Sequence, residues 1–360
     1  MTAFIASIGL PEIIAGILVL GLNAYVLTGG ADFGGGVWDV FASGVRREAQ
    51  RSLIAKAIGP IWEANHVWLI LVVVILFTAF PSAFATLSIV LHIPLTLMLV
   101  GIVLRGSSFV FRSYGSRDRA AQGRWGRVFS IASIVTPVLL GVIVGAIASG
   151  AVGAAASALP TSPGATSTSF APVFIAPWLA PFPLAMGVLA LAMFAFLAAV
   201  YLAYAATENG LREDFRRRAL GAAAVMFVAA FGGLGVARMH APDVSRDLTA
   251  GFAFYFQLAT GIAAITAIWA LWTRRWALAR IAAAAQVSLI LWGWVVVQYP
   301  YVIPSTHTLR ATAAPRITLV LLLWGLIGGS VVLIPSLAYL FRTFTSNDSS
   351  RSHSPDSSIP

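Results

Sequence analysis

The sequence predicts an all-α, polytopic membrane helix bundle with nine transmembrane helices, its N-terminus outside and its C-terminus in the cytoplasm. Three observations lead there: an apolar composition, charge-free gaps of membrane length, and a lopsided distribution of Lys and Arg between alternate loops. Of the 360 residues, 59% are hydrophobic and 10% are charged. The mean hydropathy is +0.88, more apolar than the surface of a soluble domain of this length tolerates. A charged side chain costs about 2.5–3.5 kcal/mol at the centre of a bilayer-spanning helix, so an uncharged gap of about 20 residues marks one span and a gap near twice that marks a hairpin.

Taken in order, the first span lies between Glu12 and Asp32. From Glu63 to Arg105 the chain is uncharged for about 60 Å of helix, which is two crossings joined by a tight turn at Phe80-Pro81-Ser82. The uncharged stretch from Arg127 to Glu208 holds two more, connected by an Ala/Ser/Thr/Pro-rich loop from about Ala151 to Phe182 that carries too much proline to be helical throughout. Four single spans follow, at roughly 219–237, 250–272, 278–299 and 317–341. Lys and Arg fall mainly in the segments 45–57, 105–127, 208–218, 273–280 and the C-terminal tail, while the alternate segments hold only Arg238, Arg246, Arg310 and Arg316. Cytoplasmic loops carry the excess of basic residues, and this sets the orientation.

Residues 1–345 read as a single integral membrane domain, and 346–360 as a Ser-rich, polar, disordered tail. No Lys or Arg precedes the first apolar run, so that run is expected to be a retained helix rather than a cleaved signal. The net charge of +10 sits in loops between spans, which points to membrane topology and not to nucleic acid. With no cysteine, disulfides, thiolate metal sites and covalent c-type haem attachment are excluded.

Ionisable residues at membrane depth are functional candidates. Asp32 and Asp39 flank a glycine-rich run from Thr28 to Gly36 at the inner end of the first helix, seven residues apart and therefore on one face. Glu63 lies seven residues past Lys56, about 10 Å into the second helix from the same side. A desolvated carboxylate there suits proton relay; Asp39 reads equally well as an ordinary interfacial acid. The glycines, Gly34 and Gly35 among them, read equally as a helix-packing surface. His66 and His92 can sit within helices, where two imidazoles could in principle bind a haem iron, although a hydrogen-bonded packing histidine is the plainer reading of His92. Arg105 and Arg112 end the third span and read as topological signals and lipid-headgroup contacts. No metal site is expected in this chain.

The segments Thr28 to Trp38, Gly59-Pro60-Ile61-Trp62-Glu63-Ala64-Asn65-His66-Val67-Trp68-Leu69, Phe77 to Pro81 and Tyr299-Pro300-Tyr301-Val302-Ile303-Pro304-Ser305 resemble the signature stretches of subunit II of the cytochrome bd family of quinol oxidases, including its cyanide-insensitive branch. The resemblance covers nearly the whole chain. It implies a heterodimer in the bacterial inner membrane whose subunit I carries haem b and haem d and oxidises quinol, while the complex reduces dioxygen to water with protons from the cytoplasm and without pumping. It implies a proton route through Glu63 and Asp32, with Asp39, Trp62, Asn65, His66, Trp68 and Arg105 in support and with Gly34, Gly35, Pro300 and Pro304 as structural motif residues. Some members carry a further acid where this chain has Gly29, so the family's proton route does not transfer whole. Some members also hold a quinone in subunit II, and no motif here establishes one. The resemblance leaves room for a small accessory subunit, and membrane lipids are expected around the bundle. The competing reading is a proton-coupled secondary transporter, which also places buried acids beside a glycine-broken helix.

Overall fold

A computed structural model of the chain describes residues 9–58, 61–114, 119–159 and 169–351. The long helices follow the apolar runs: α1 (Leu10–Val40), α3 (Ile61–Ala79), α5 (His92–Tyr114), α6 (Arg119–Ala148), α10 (Pro181–Ala205), α11 (Asn209–His240), α13 (Ala253–Trp272), α14 (Trp276–Gln298) and α16 (Arg316–Arg351). Shorter helices connect them: α2 (Arg47–Ile58), α4 (Pro81–Val90), α7 (Ala151–Ser157), α8 (Phe170–Phe174), α9 (Ala176–Leu179), α12 (Pro242–Thr249) and α15 (Leu309–Thr312). One antiparallel hairpin, β1 (Tyr301–Ile303) and β2 (His307–Thr308), follows α14. Among the described residues, eight helices are long and apolar enough to cross a membrane, or up to nine if a bent pair counts as one span.

That bent pair corrects the expected tight turn at Phe80-Pro81-Ser82. Proline has no N–H with which to continue α3, but its fixed φ suits the first position of a new helix. Pro81 therefore opens α4, which leaves α3 at 117°, and α5 begins only at His92. The Ala79 carbonyl at the bend accepts the Ala314 N–H at 2.8 Å, which ties α3 to the segment leading into α16. The Pro-rich connection after α6 is broken into α7, α8 and α9, as its prolines require, and α10 starts at Pro181. The last helix runs to Arg351, so the beginning of the segment expected as a disordered tail continues a helix; its remainder lies outside the described residues.

The long helices pack as two groups of four with α16 beside α1 and α3. One core, including Ile14, Tyr25, Phe33, Ile75, Leu91 and Leu139, lies among α1, α3, α5 and α6. The other, including Leu197, Val200, Ala223, Ala267, Ala283 and Val287, lies among α10, α11, α13 and α14. The two groups meet where α10 packs on α1 and α6.

Glycine makes that meeting possible. A methyl group added at Gly34 would stand 2.0 Å from the Phe194 carbonyl oxygen and 2.6 Å from Ala198 Cβ, both on α10. At Gly36 it would meet Ser133 Oγ of α6 at 2.1 Å, and at Gly29 it would meet Asn65 Nδ2 of α3 at 2.9 Å. The run is thus a packing surface for three neighbours, the use small residues have between membrane helices. Gly34→Ala should destabilise the purified chain by about 1–3 kcal/mol through overpacking. Gly16→Ala, which faces open space, should stay within about 0.5 kcal/mol of the parent. Thermal unfolding midpoints in one detergent compare the two.

Candidate functional site

The close approach of α10, α6 and α3 to α1 encloses Asp32, which is 0% exposed, together with Arg105 of α5, which is 2% exposed. Arg105 donates through Nη1 to Asp32 Oδ2 at 2.7 Å and through Nη2 to Oδ1 at 2.6 Å and to the Asp32 carbonyl at 2.8 Å. Its Nε donates to Ser133 Oγ of α6 at 3.2 Å, and the Ser133 hydroxyl in turn donates to the Phe129 carbonyl at 2.7 Å. The rings of Phe33 and Phe129 lie against the guanidinium, with centroids 4.8 and 5.1 Å away. The planar fork of arginine matches a carboxylate in this bidentate way, with geometric precision that a lysine lacks.

Asn65, 1% exposed, brings α3 into the same cluster. Its Oδ1 accepts the Thr28 hydroxyl, one turn before Asp32 on α1, at 3.0 Å. Thr28 donates besides to the Ala24 carbonyl at 2.7 Å. The cluster therefore joins α1, α3, α5 and α6 through side chains at one depth. His66 is half-buried on the next position of α3, and Trp68 packs against the first core. Trp62 and Glu63 belong to the first turn of α3, but their side chains lie outside the described residues.

Asp39, two turns beyond Asp32 on the same face, is buried and pairs with Arg51 of α2 at 3.6 Å. Close by, Asp214 of α11 accepts from Arg46 Nε and Nη2 at 2.8 and 2.6 Å and from Gln50 at 2.8 Å. Arg218 donates to Gln50 Oε1 at 2.7 Å and to the Phe41 carbonyl at 2.9 Å. The hydrogen bonds it donates to Asp214 hold the Arg46 guanidinium above its ordinary pKa. This network closes the end of the bundle at which α1 ends.

Two expectations change. Arg105, read as an interfacial signal and headgroup contact, is instead the buried partner of Asp32. The signal was available, since an acid enclosed by a glycine run needs a cation and Arg105 closes the uncharged gap that starts at Glu63. His92, expected within a helix, is instead the first residue of α5, with Nδ1 at 2.9 Å from the Ile89 carbonyl oxygen and its ring edge-on to Phe174. His66 sits in the second turn of α3, beyond whose far end His92 lies, so the two imidazoles do not face a common iron. Among the described residues, no three His, Asp or Glu side chains form a group able to hold a metal.

At the opposite end, Pro300 and Pro304 shape the turn after α14. The Leu309 N–H donates to the Pro300 carbonyl at 2.9 Å, and the Pro304 carbonyl lies so close to Gly153 that a methyl there would be 2.8 Å from it. Glu12 of α1 accepts from Arg310 at 2.6 Å, pinning this turn to the start of the first helix and raising the pKa of Arg310.

A family model described as cytochrome bd terminal oxidase subunit II matches residues 10–344. The chain is 35% identical over 115 residues to cytochrome bd ubiquinol oxidase subunit 2 of Bacillus subtilis, a match covering 32% of this chain and 33% of the relative. It is 29% identical over 133 residues to cytochrome bd-I ubiquinol oxidase subunit 2 of Escherichia coli K12, covering 37% and 34%. The matched stretches thus span about a third of the length of these curated relatives. A chain in the structure of bd oxidase from Geobacillus thermodenitrificans superposes with a TM-score of 0.77 at 21% identity, over 94% of this chain and 99% of that one, and so shares the fold.

Removing one member of a buried ion pair strands the other, at a cost of about 3–5 kcal/mol. Arg105→Leu and Asp32→Asn should each lower the yield of folded, monodisperse chain and its unfolding midpoint. The double variant Asp32→Leu with Arg105→Met should recover much of the loss, and a double variant no better than either single one would show that the pair does not act as a unit.

Proposed function

The chain belongs to the cytochrome bd terminal oxidase subunit II family, and from that premise we propose that it serves a complex that oxidises quinol and reduces dioxygen to water, bracing a haem-bearing subunit I and giving protons a way in from the cytoplasm. The observation that carries this reading is the buried cluster of Asp32, Arg105, Asn65 and Thr28. It lies at membrane depth and adjoins the turn of α3 that bears Glu63. Buried polar groups inside a membrane domain are costly and collect along ion and proton pathways.

Within this route Glu63 is the titrating group. Asp32, clasped by the two terminal nitrogens of Arg105, is a fixed charge beside the route; Asp39 and Arg51 stand at its mouth. Trp62, His66 and Trp68 flank Glu63 and Asn65 along α3. The topology is nine spans with α3 and α4 counted together, the N-terminus outside and the C-terminus in the cytoplasm of a bacterial inner membrane. Haem b and haem d supply the redox chemistry from subunit I. Charge separation comes from releasing quinol protons outside and consuming protons from inside, with no pumping step. A small accessory subunit and a structurally held quinone complete the partners this reading allows.

The transporter reading loses its main support, because α1 passes unbroken through the glycine run. Transporter ion sites are typically built on discontinuous helices whose free ends face the ion.

Glu63→Gln should slow quinol-dependent oxygen consumption by roughly a factor of ten or more, the scale on which a positioned proton-transfer group acts. Reduced-minus-oxidised spectra of the same preparation should keep the haem b and haem d bands, showing intact assembly. Unchanged turnover in a fully assembled complex would sink the proton role of Glu63.

A further inference from the structure

At the end of the bundle that carries Asp39 and Asp214, acids and bases are unevenly shared. Glu213 takes Arg216 at 2.7 Å, Arg217 at 3.3 Å and Arg274 at 3.6 Å, and Asp214 takes Arg46. Arg275 and Arg280, which flank the start of α14, have no carboxylate partner among the described residues. Both are nevertheless held in place by aromatic rings. Arg280 lies 4.1 Å from the centroid of Tyr204 at the end of α10, and Arg275 lies 4.9 Å from that of Trp269 on α13. A guanidinium resting face-down on a ring keeps its N–H edge free, and that edge matches the oxygens of a phosphate.

The apolar surroundings identify the molecule that brings the phosphate. Leu258, Ile262, Ile265 and Trp269 are 54%, 58%, 70% and 47% exposed. At spacings of four, three and four residues they form one outward stripe along α13, and its last member is the ring beneath Arg275. A ligand that uses both features has an anionic head at the rim and a hydrocarbon chain running toward the middle of the bilayer. We propose that the start of α14, with this stripe of α13, forms a binding site for an anionic phospholipid, whose phosphodiester meets the Arg275 guanidinium above Trp269 and whose acyl chain lies along the helix, while Arg280 adds positive charge to the same rim. Interfacial aromatic residues such as Trp272, 70% exposed, place this rim at headgroup level.

The test uses the full-length chain in detergent, washed free of native lipid and offered equal amounts of phosphatidylglycerol and phosphatidylcholine. Retained lipid is then counted by native mass spectrometry. The parent chain should keep phosphatidylglycerol in preference, and inorganic phosphate added in excess should not displace it. The double variant R275Q/R280Q should lose about tenfold or more in phosphatidylglycerol retention. R217Q, which removes an arginine already shared with Glu213, should retain it as the parent does. Equal retention of the two lipids by the parent, or undiminished retention by the double variant, would overturn the proposal. Displacement by inorganic phosphate would assign the site to a small anion and overturn the lipid as its occupant.

Discussion

A carboxylate and a guanidinium enclosed together at membrane depth constrain nearly everything around them. Moving either ion alone out of water costs several kcal/mol, and their attraction repays this only when the geometry is close and the remaining donors are satisfied. Arg105 meets that condition by spending three hydrogen bonds on Asp32 and one on Ser133. For those bonds to form, α1, α5 and α6 must stand at fixed depth and rotation. Asn65 extends the same requirement to α3.

The glycine run is the steric side of this electrostatic requirement. Asp32 can be sealed from lipid only if neighbouring backbones come close to α1, and Gly29, Gly34 and Gly36 admit α3, α10 and α6 in turn. The same approach joins the two four-helix groups, so the contact that shields the ion pair also assembles the fold. At the end nearest Asp39, the links from Asp214 to Arg46 and Gln50, and from Arg218 to Phe41, tie α2 and α11 to the end of α1. At the other end, Glu12 and Arg310 do the same for the turn after α14. The helix that carries Asp32 and Glu12 is therefore held at both ends and in its interior.

Much of the architecture was legible because the cost of burying charge is a local property that gaps in a sequence record directly. The spans between Glu12 and Asp32 and between Glu63 and Arg105, and the four later ones, all correspond to helices. The 117° bend at Phe80 was not legible. A proline marks where a helix stops, but the direction taken next depends on Ala314 reaching the Ala79 carbonyl from far along the chain. The site was legible by half. Asp32 stands out as an acid in a small-residue run, whereas Arg105 looks like any loop arginine until helix packing brings it 73 positions back to Asp32. The network around Asp214 escaped for the same reason, since a surface charge and a tertiary ion pair look alike in sequence.

The role assigned to Asp32 follows from its surroundings. An acid held by a bidentate guanidinium is a poor proton carrier, since protonating it would leave a buried arginine without its counter-charge. Isotope-edited infrared spectroscopy of the assembled oxidase, with this chain labelled at aspartate and Asp32→Asn as the reference for assigning the band, measures the protonation of Asp32 directly. Asp32 should give an ionised carboxylate stretch that does not change across the neutral pH range or during turnover. A protonated carboxyl band from Asp32, or one that appears and disappears with turnover, would contradict its role as a fixed charge and make it a carrier in its own right.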